Sequence, residues 1–135
     1  MIHFDTTFLI DLQRELAREQ PGPAFEFMED LDDREILRAS VFVVAELRVG
    51  AELARKSERD HVEIDELLSG LLVFYPNDAF ASRFAREAAA IRRSGASVSS
   101  MDLLIGTAAL LDNAPIVTRN VKDFSRIPGL RVLSY

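Results

Sequence analysis

Four carboxylate side chains border or interrupt strongly apolar segments of this sequence. Asp5 ends an apolar opening, Glu46 interrupts an apolar run, Asp102 precedes another, and Asp123 follows a fourth after a short polar turn. Burying an ionised carboxylate costs several kcal/mol unless its charge is paired, so these side chains together call for a shared cation. The pattern predicts a metal site built from carboxylates.

The chemistry of such a site follows from its ligands. Oxygen-only ligands favour Mg²⁺ or Mn²⁺ over zinc, and sites of this kind keep several waters. A bound metal lowers the pKa of one such water and stabilises the charge that develops on a phosphate during hydrolysis. The side chains would then hold ions and form no covalent intermediate.

Each carboxylate also has an alternative structural role. Asp5 could cap the helix that follows it, and Asp102 could be an N-cap or a favourable partner of the helix dipole. Asp123 could be an ordinary turn residue, and Glu46 could form an ion pair with an arginine. The arginines considered as partners of Glu46 are Arg48 and Arg119. Only the joint occurrence of the four acids favours the metal site.

The composition is that of an ordinary globular protein. The chain has 135 residues, 48% of them hydrophobic, and we predict a single domain over residues 1–135. The absence of cysteine excludes disulfides, thiolate zinc sites and a cysteine nucleophile.

No signal-peptide pattern or membrane-spanning apolar run is present, so we expect a cytoplasmic protein that does not contact a membrane. The net charge of −6 argues against strong nonspecific binding of nucleic acid, but metal ions at an acidic cluster could still hold such a substrate.

Turn and cap signals divide the chain into alternating strands and helices. This alternation predicts an α/β fold with a parallel sheet covered by helices. The predicted strands are 1–5, 36–39, 71–75, 115–118 and 131–133. The predicted helices are 6–16, 24–31, 40–53, 76–93 and 99–111, with 55–66 as a further helix or a continuation of the third.

This arrangement places the acids near one edge of the sheet. Asp5 directly follows the first strand, and Asp123 comes shortly after the fourth. Glu46 and Asp102 lie in the early turns of helices. Ligands of open α/β sheets bind at the carboxyl ends of the strands, so we expect the four acids to converge there.

The order of these acidic segments resembles the PIN-domain family over essentially the whole chain. The matching segments are Phe4–Ile10, Val44–Gly50, Asp102–Ala109 and Val117–Phe124, the last followed by Ile127–Leu130. At this chain length the combination is similar to the VapC-type toxins of VapBC toxin–antitoxin modules. The resemblance implies a PIN-like α/β fold with a mostly parallel sheet covered by helices on both faces.

The same resemblance implies function and partners. It implies a Mg²⁺- or Mn²⁺-dependent endoribonuclease that hydrolyses RNA phosphodiester bonds with a metal-activated water. The partners would be a cognate VapB-type antitoxin, RNA and a second copy of the chain in a homodimer. Asp5 and Asp102 would be the first metal ligands, followed by Glu46 and then Asp123. Thr7 stands where many members have Asn, and its hydroxyl can still orient a neighbouring carboxylate.

Other polar residues near these segments have candidate roles. We expect Thr118 and Asn120 to orient a ligand or the substrate. His3 and His61 lack metal-ligand spacing, and we expect structural roles for both. Candidate contacts to RNA phosphates, each with ordinary solvated charge as the alternative, are Arg14, Arg18, Arg119 and Lys122.

Competing families fit the sequence less well. Aspartyl-phosphate enzymes need a second Asp at the position of Thr7, and receiver domains need an acidic pair beside Asp5. A flap-type DNA nuclease needs further domains. A catalytically weak or silent PIN-fold binding module is the remaining alternative, although such proteins usually lack one or more of the four acids.

Overall fold

A computed structural model describes all residues from Met1 to Tyr135. Five parallel strands form one sheet in the order β3-β2-β1-β4-β5. The strands are β1 Ile2–Phe4, β2 Leu37–Ser40, β3 Leu72–Phe74, β4 Ile116–Val117 and β5 Val132–Leu133. The helices are α1 Thr6–Ala17, α2 Pro23–Glu29, α3 Val41–Leu53, α4 Ser57–Leu68, α5 Asp78–Arg93, α6 Ser100–Leu111 and α7 Val121–Phe124.

The structure confirms the predicted α/β fold with all five predicted strands. The segment 55–66, which could have continued α3, forms the separate helix α4. The one-turn helix α7 was not predicted, because four residues are too few to show a helical period.

Helices cover both faces of the sheet at its centre. Successive side chains of a strand point to opposite faces, yet all three residues of β1 are buried. On one side Phe4 stacks on Phe8 of α1, with ring centroids 4.5 Å apart. Phe8, Leu9 and Leu12 recur at helical spacing, and this buried stripe fixes α1 against the sheet.

The helix α6 is apolar on nearly every side, and most of its residues from Leu103 to Ala109 are buried. A Cβ added at Gly106 would lie 2.5 Å from Cδ1 of Ile127, so glycine allows the segment after α7 to pack directly on α6. This close packing brings the start of α6 and the short helix α7 to the same part of the molecule.

The parallel arrangement places several loops at one edge of the sheet. The β1–α1, β2–α3 and β4–α7 connections all leave from the carboxyl ends of adjacent strands. This is the edge at which α/β proteins bind ligands. None of the helices is both long and apolar enough to cross a membrane.

Candidate metal centre

Asp5 lies at the carboxyl end of the central strand β1 and is only 3% exposed. Its backbone N–H donates to the carbonyl oxygen of Val117 in β4, at 3.0 Å. The hydroxyls of Thr7 and Thr118 each donate to Oδ2 of Asp5, both at 2.8 Å. The carboxylate makes no side-chain cap hydrogen bond to α1, so the helix-capping alternative for Asp5 is wrong.

Glu46 lies in the second turn of α3 and points toward the start of α1. The helix begins where Oγ of Ser40 accepts a hydrogen bond from the backbone N–H of Val43, as the sequence predicted. Oε1 of Glu46 accepts a hydrogen bond of 2.7 Å from the hydroxyl of Thr6.

The two arginines considered as ion-pair partners of Glu46 have other acids as partners. Arg48 contacts Asp65, and Arg119 donates to Asp11. The ion-pair alternative for Glu46 is therefore wrong, and this carboxylate has no cationic neighbour in salt-bridge range.

Asp102 lies in the first turn of α6, but Ser99 caps that helix. Oγ of Ser99 accepts from the backbone N–H of Asp102 at 3.1 Å, so the N-cap alternative for Asp102 is wrong. Its place in the first turn is still that of a partner of the helix dipole. Nδ2 of Asn120 reaches Oδ2 of Asp102 at 3.5 Å, which is the length of a weak hydrogen bond.

The surroundings of Asp102, which include the other three acids, raise its pKa. Burial is the main cause that raises this pKa, and hydrogen bonding with Ser99 opposes it. The negative charges of Asp5, Asp123 and Glu46 raise it further. Asp5, Glu46 and Asp123 therefore each lie close enough to Asp102 to disfavour its ionisation.

Asp123 differs from the other three acids. It lies in α7 rather than in an irregular turn, and it is partly exposed. Its Oδ1 accepts a hydrogen bond of 3.2 Å from Nη1 of Arg126, which also donates to the carbonyl oxygen of Ser97 at 3.0 Å. The charge of Asp123 is therefore partly balanced by the protein itself.

The loop between β4 and α7 connects these groups. The hydroxyl of Thr118 accepts from the backbone N–H of Asn120 at 2.9 Å while it donates to Asp5. The hydroxyl of Thr7 accepts from the backbone N–H of Arg119 at 3.1 Å while it donates to the same carboxylate. Each hydroxyl has its proton directed to Asp5 because an ionised carboxylate can only accept a hydrogen bond.

The donor set fits a divalent cation by its chemistry. No three of the acidic or histidine side chains, as they stand, form a group that could hold a metal ion. Three of the four carboxylates have only neutral hydrogen-bond donors and no basic partner, so their charge is available to a cation.

Two of the candidate phosphate contacts lie at the end of α1, and the other two lie in the segment that follows β4. Arg14 and Arg18 line a polar cleft of about 430 Å³ beside α1. Arg119 and Lys122 are exposed in the β4–α7 loop and in α7.

The two histidines are engaged elsewhere in the fold. Nε2 of the buried His3 contacts Oδ2 of Asp112 at 2.6 Å. His61 lies between Arg48 and Glu52 on the surface.

Sequence reasoning missed several residues that shape this region. Thr6 was treated only as part of the helix start, although it holds Glu46. Arg126 stands three residues after Asp123, a spacing that suggests an ion pair once a helix is recognised there. The contact of Tyr135 with Asp11 joins residues 124 positions apart, and no local signal announces it.

Comparison with known proteins agrees with this architecture. A PIN domain family model matches residues 2–130. Ribonuclease VapC2 of Rickettsia felis is 29% identical over 112 residues, which are 83% of this chain and 84% of that protein. Ribonuclease VapC1 of Haemophilus influenzae (strain R2866) is 30% identical over 116 residues, 86% of this chain and 87% of that protein.

A solved structure extends the similarity to three dimensions. The crystal structure of VapBC2 from Rickettsia felis, bound to a DNA fragment from their promoter, matches with a TM-score of 0.90 and 26% identity. The match covers 100% of this chain and 99% of that one. This chain therefore belongs to the PIN domain family and, within it, to the VapC ribonucleases.

Proposed function

We propose that this chain is the toxin of a type II toxin–antitoxin module and acts as a Mg²⁺- or Mn²⁺-dependent endoribonuclease. One observation carries the proposal: Asp5 is almost completely buried at the carboxyl edge of the sheet, and it has no cationic partner in the protein. A buried carboxylate of this kind is stabilised when a cation binds beside it. The names of the relatives support RNA as the substrate.

The residues that would hold the ion are Asp5, Glu46 and Asp102, with Asp123 as a further ligand. Oxygen ligands of this kind suit Mg²⁺ and Mn²⁺ better than zinc. When bound, such an ion supplies Lewis-acid activation of water and neutralises charge on the scissile phosphate.

The protein's own contribution is to orient the carboxylates with neutral hydrogen-bond donors. Thr7 and Thr118 both donate to Oδ2 of Asp5, which leaves Oδ1 without a protein hydrogen bond. Thr6 fixes Glu46 in the same way, and Asn120 lies beside Asp102. Hydroxyl and amide donors hold these acids without cancelling their charge, so the site keeps its affinity for cations.

The proposed partner is a cognate VapB-type antitoxin, since a structural relative is a VapBC complex. We also propose a homodimer and a cytoplasmic location, where RNA and an antitoxin bound to DNA would both be present. Apolar side chains remain exposed on α3 and α4 at Val49, Leu53 and Val62, and they offer surface to a partner or a second copy.

The test uses the purified full chain with tRNA and single-stranded RNA. We expect cleavage in Mg²⁺ or Mn²⁺, poor cleavage in Zn²⁺, and none in excess EDTA. Asp5→Asn should abolish cleavage, whereas Asp78→Asn, at an exposed acid in the first turn of α5, should not. Undiminished cleavage in chelator would refute the metal mechanism, and absence of cleavage under all conditions would favour the silent binding module.

A further inference from the structure

Arg119 is attached to the candidate metal centre through its backbone. Its N–H donates to the Thr7 hydroxyl that in turn donates to Asp5. The neighbouring residues Thr118 and Asn120 contact Asp5 and Asp102. The side chain of Arg119 therefore leaves the backbone at the rim of the acidic site.

The direction of that side chain is fixed by Asp11 of α1. Nη1 of Arg119 donates to both carboxylate oxygens of Asp11, each at 2.9 Å. The hydroxyl of Tyr135 donates to Oδ2 of Asp11 at 2.7 Å, and its ring packs edge-on against Phe8 at 4.8 Å. Burial, followed by contact with Asp11, raises the pKa of Tyr135, so its hydroxyl remains a donor at neutral pH.

This arrangement leaves the outer edge of the guanidinium free. Nη2 and Nε of Arg119 have no acceptor in the protein, and 59% of the side chain is exposed. These N–H groups form the planar fork that binds phosphate oxygens in pairs. An exposed ion pair contributes only about 0–1 kcal/mol to stability, so orientation is the more consequential effect of Asp11.

The surroundings offer a path for a phosphodiester chain. Asp11 also lines the polar cleft that contains Arg14 and Arg18. Arg14 is exposed, and its Nη1 lies 3.9 Å from Asp11. Arg14 and Arg18 line this cleft together with Asp11 and Glu15. With Arg119 they place three cations against two acids, which makes this region locally suited to anions in a protein of net charge −6.

We propose that Arg119 binds a phosphate of the RNA strand beside the metal centre, and that Asp11 and Tyr135 are positioning residues that hold its guanidinium for this contact. The inference rests on the proposed ribonuclease function. It assigns Asp11, an acid, a favourable role in binding a polyanion.

The experiment measures binding of fluorescent single-stranded RNA by anisotropy, with Mg²⁺ and in the Asp102→Asn background. Arg119→Ala should weaken binding about tenfold, as for loss of one charge-assisted contact, and should reduce the slope of log K against log salt by about 0.7. Arg119→Lys should keep the slope but lose part of the affinity, because an ammonium lacks the fork. In the otherwise wild-type enzyme, Arg119→Ala should raise KM more than it lowers kcat.

The Asp11→Asn variant shows whether Asp11 affects RNA binding by positioning Arg119 or only through its own negative charge. Removing one negative charge would by itself tighten RNA binding. If Asp11 positions Arg119, the variant should instead bind RNA more weakly, and Tyr135→Phe should change binding in the same direction by a smaller factor. Thermal melting shows whether each variant is folded.

The matched control is Arg34→Ala. Arg34 is an exposed arginine paired with Asp32 at 3.0 Å, and it precedes β2 at the opposite edge of the sheet. This variant should leave affinity and salt slope within about twofold of the parent protein.

The outcomes separate the two proposals. Unchanged affinity and slope in folded Arg119→Ala, or tighter binding by Asp11→Asn, would overturn the inference while metal-dependent cleavage by the wild type still supported the ribonuclease function. A wild type that neither cleaves nor binds RNA would refute both.

Discussion

Replacing Asp102 with Asn separates metal binding from structural roles at this position. Ser99 caps α6 through the backbone N–H of residue 102, so the cap survives the substitution. The lost interaction with the helix dipole costs about 0.3–1 kcal/mol. Relief of burial and of repulsion by Asp5, Glu46 and Asp123 offsets this loss, because these causes raise the pKa of Asp102. The metal-free stability should therefore hold or rise.

The sign of the pH dependence follows from the same shift. Since the folded-state pKa of Asp102 lies above its ordinary value of 3.8, the folded protein binds this proton more tightly than the unfolded chain. Stability from this group is present below pH 3.8 and is lost as the pH rises through the folded-state pKa. Asp102→Asn should remove that component of the pH dependence.

The stabilisation by bound metal should distinguish the wild type from Asp102→Asn more clearly than the pH dependence does. A divalent ion at a hundred times its Kd should stabilise the wild type by about 2.7 kcal/mol, or roughly 10 °C in Tm for a chain of this length. The variant should show clearly less, and its kcat should fall by about two orders of magnitude or more. Differential scanning fluorimetry with and without Mn²⁺, together with RNA cleavage rates, measures both quantities.

The control for this substitution is Asp78→Asn, which changes a first-turn aspartate in α5 that Asn77 caps. It should leave turnover and the metal-induced shift unchanged. Normal turnover together with a full metal-induced shift in Asp102→Asn would remove Asp102 from the metal site and refute the reasoning.

Three further predictions follow from single contacts. Thr118→Val should lower the free energy of unfolding of the metal-free protein by about 1–3 kcal/mol, because buried Asp5 loses a charge-assisted hydrogen-bond donor. Urea unfolding measures this loss, and a value below about 0.3 kcal/mol would show that the hydroxyl is dispensable. Burial lowers the pKa of His3 against the opposing effect of Asp112, so the free energy of unfolding should fall as the pH drops below 6.5. His3→Gln should make this fall smaller when urea unfolding is compared at pH 5 and pH 7. The antitoxin should insert an Arg or Lys against Asp5, Glu46 or Asp102, and replacing that residue should restore RNA cleavage while the complex persists on gel filtration. Unchanged inhibition by every basic-residue variant would indicate a steric block.

The fold was predictable because its signals are local. Short apolar runs that end in polar caps indicate strands followed by helices, and Ser40 and Ser99 cap α3 and α6 as their positions suggested. A parallel sheet then brings the strand ends to one edge whatever the strand order. The order β3-β2-β1-β4-β5 itself was not predicted, because sequence periodicity does not identify a strand's neighbours.

The partners of the acids were harder to predict because they depend on distant residues. Glu46 stands two positions from Arg48, yet it bonds Thr6, forty positions away. The side chain of Arg48 in α3 instead contacts Asp65 of α4. The spacing of charged residues along α3 could not reveal these partners, because they depend on how α3 packs between α1 and α4.

The positions of the basic side chains leave most of the site's acids without a cationic partner. Arg48 and Arg119 are each held by an acid outside the cluster, Asp65 and Asp11 respectively. The groups that touch Asp5, Glu46 and Asp102 are hydroxyls and an amide, which carry no charge. An ion pair would hold a buried acid equally well, but it would cancel the field that attracts a cation.

Asp123 is the exception, because Arg126 binds it directly. A metal ion must compete with that arginine for Asp123, whereas it meets no competing positive charge at the other three acids. The ion pair with Arg126 is thus a physical reason to expect Asp123 to be the weakest of the four ligands.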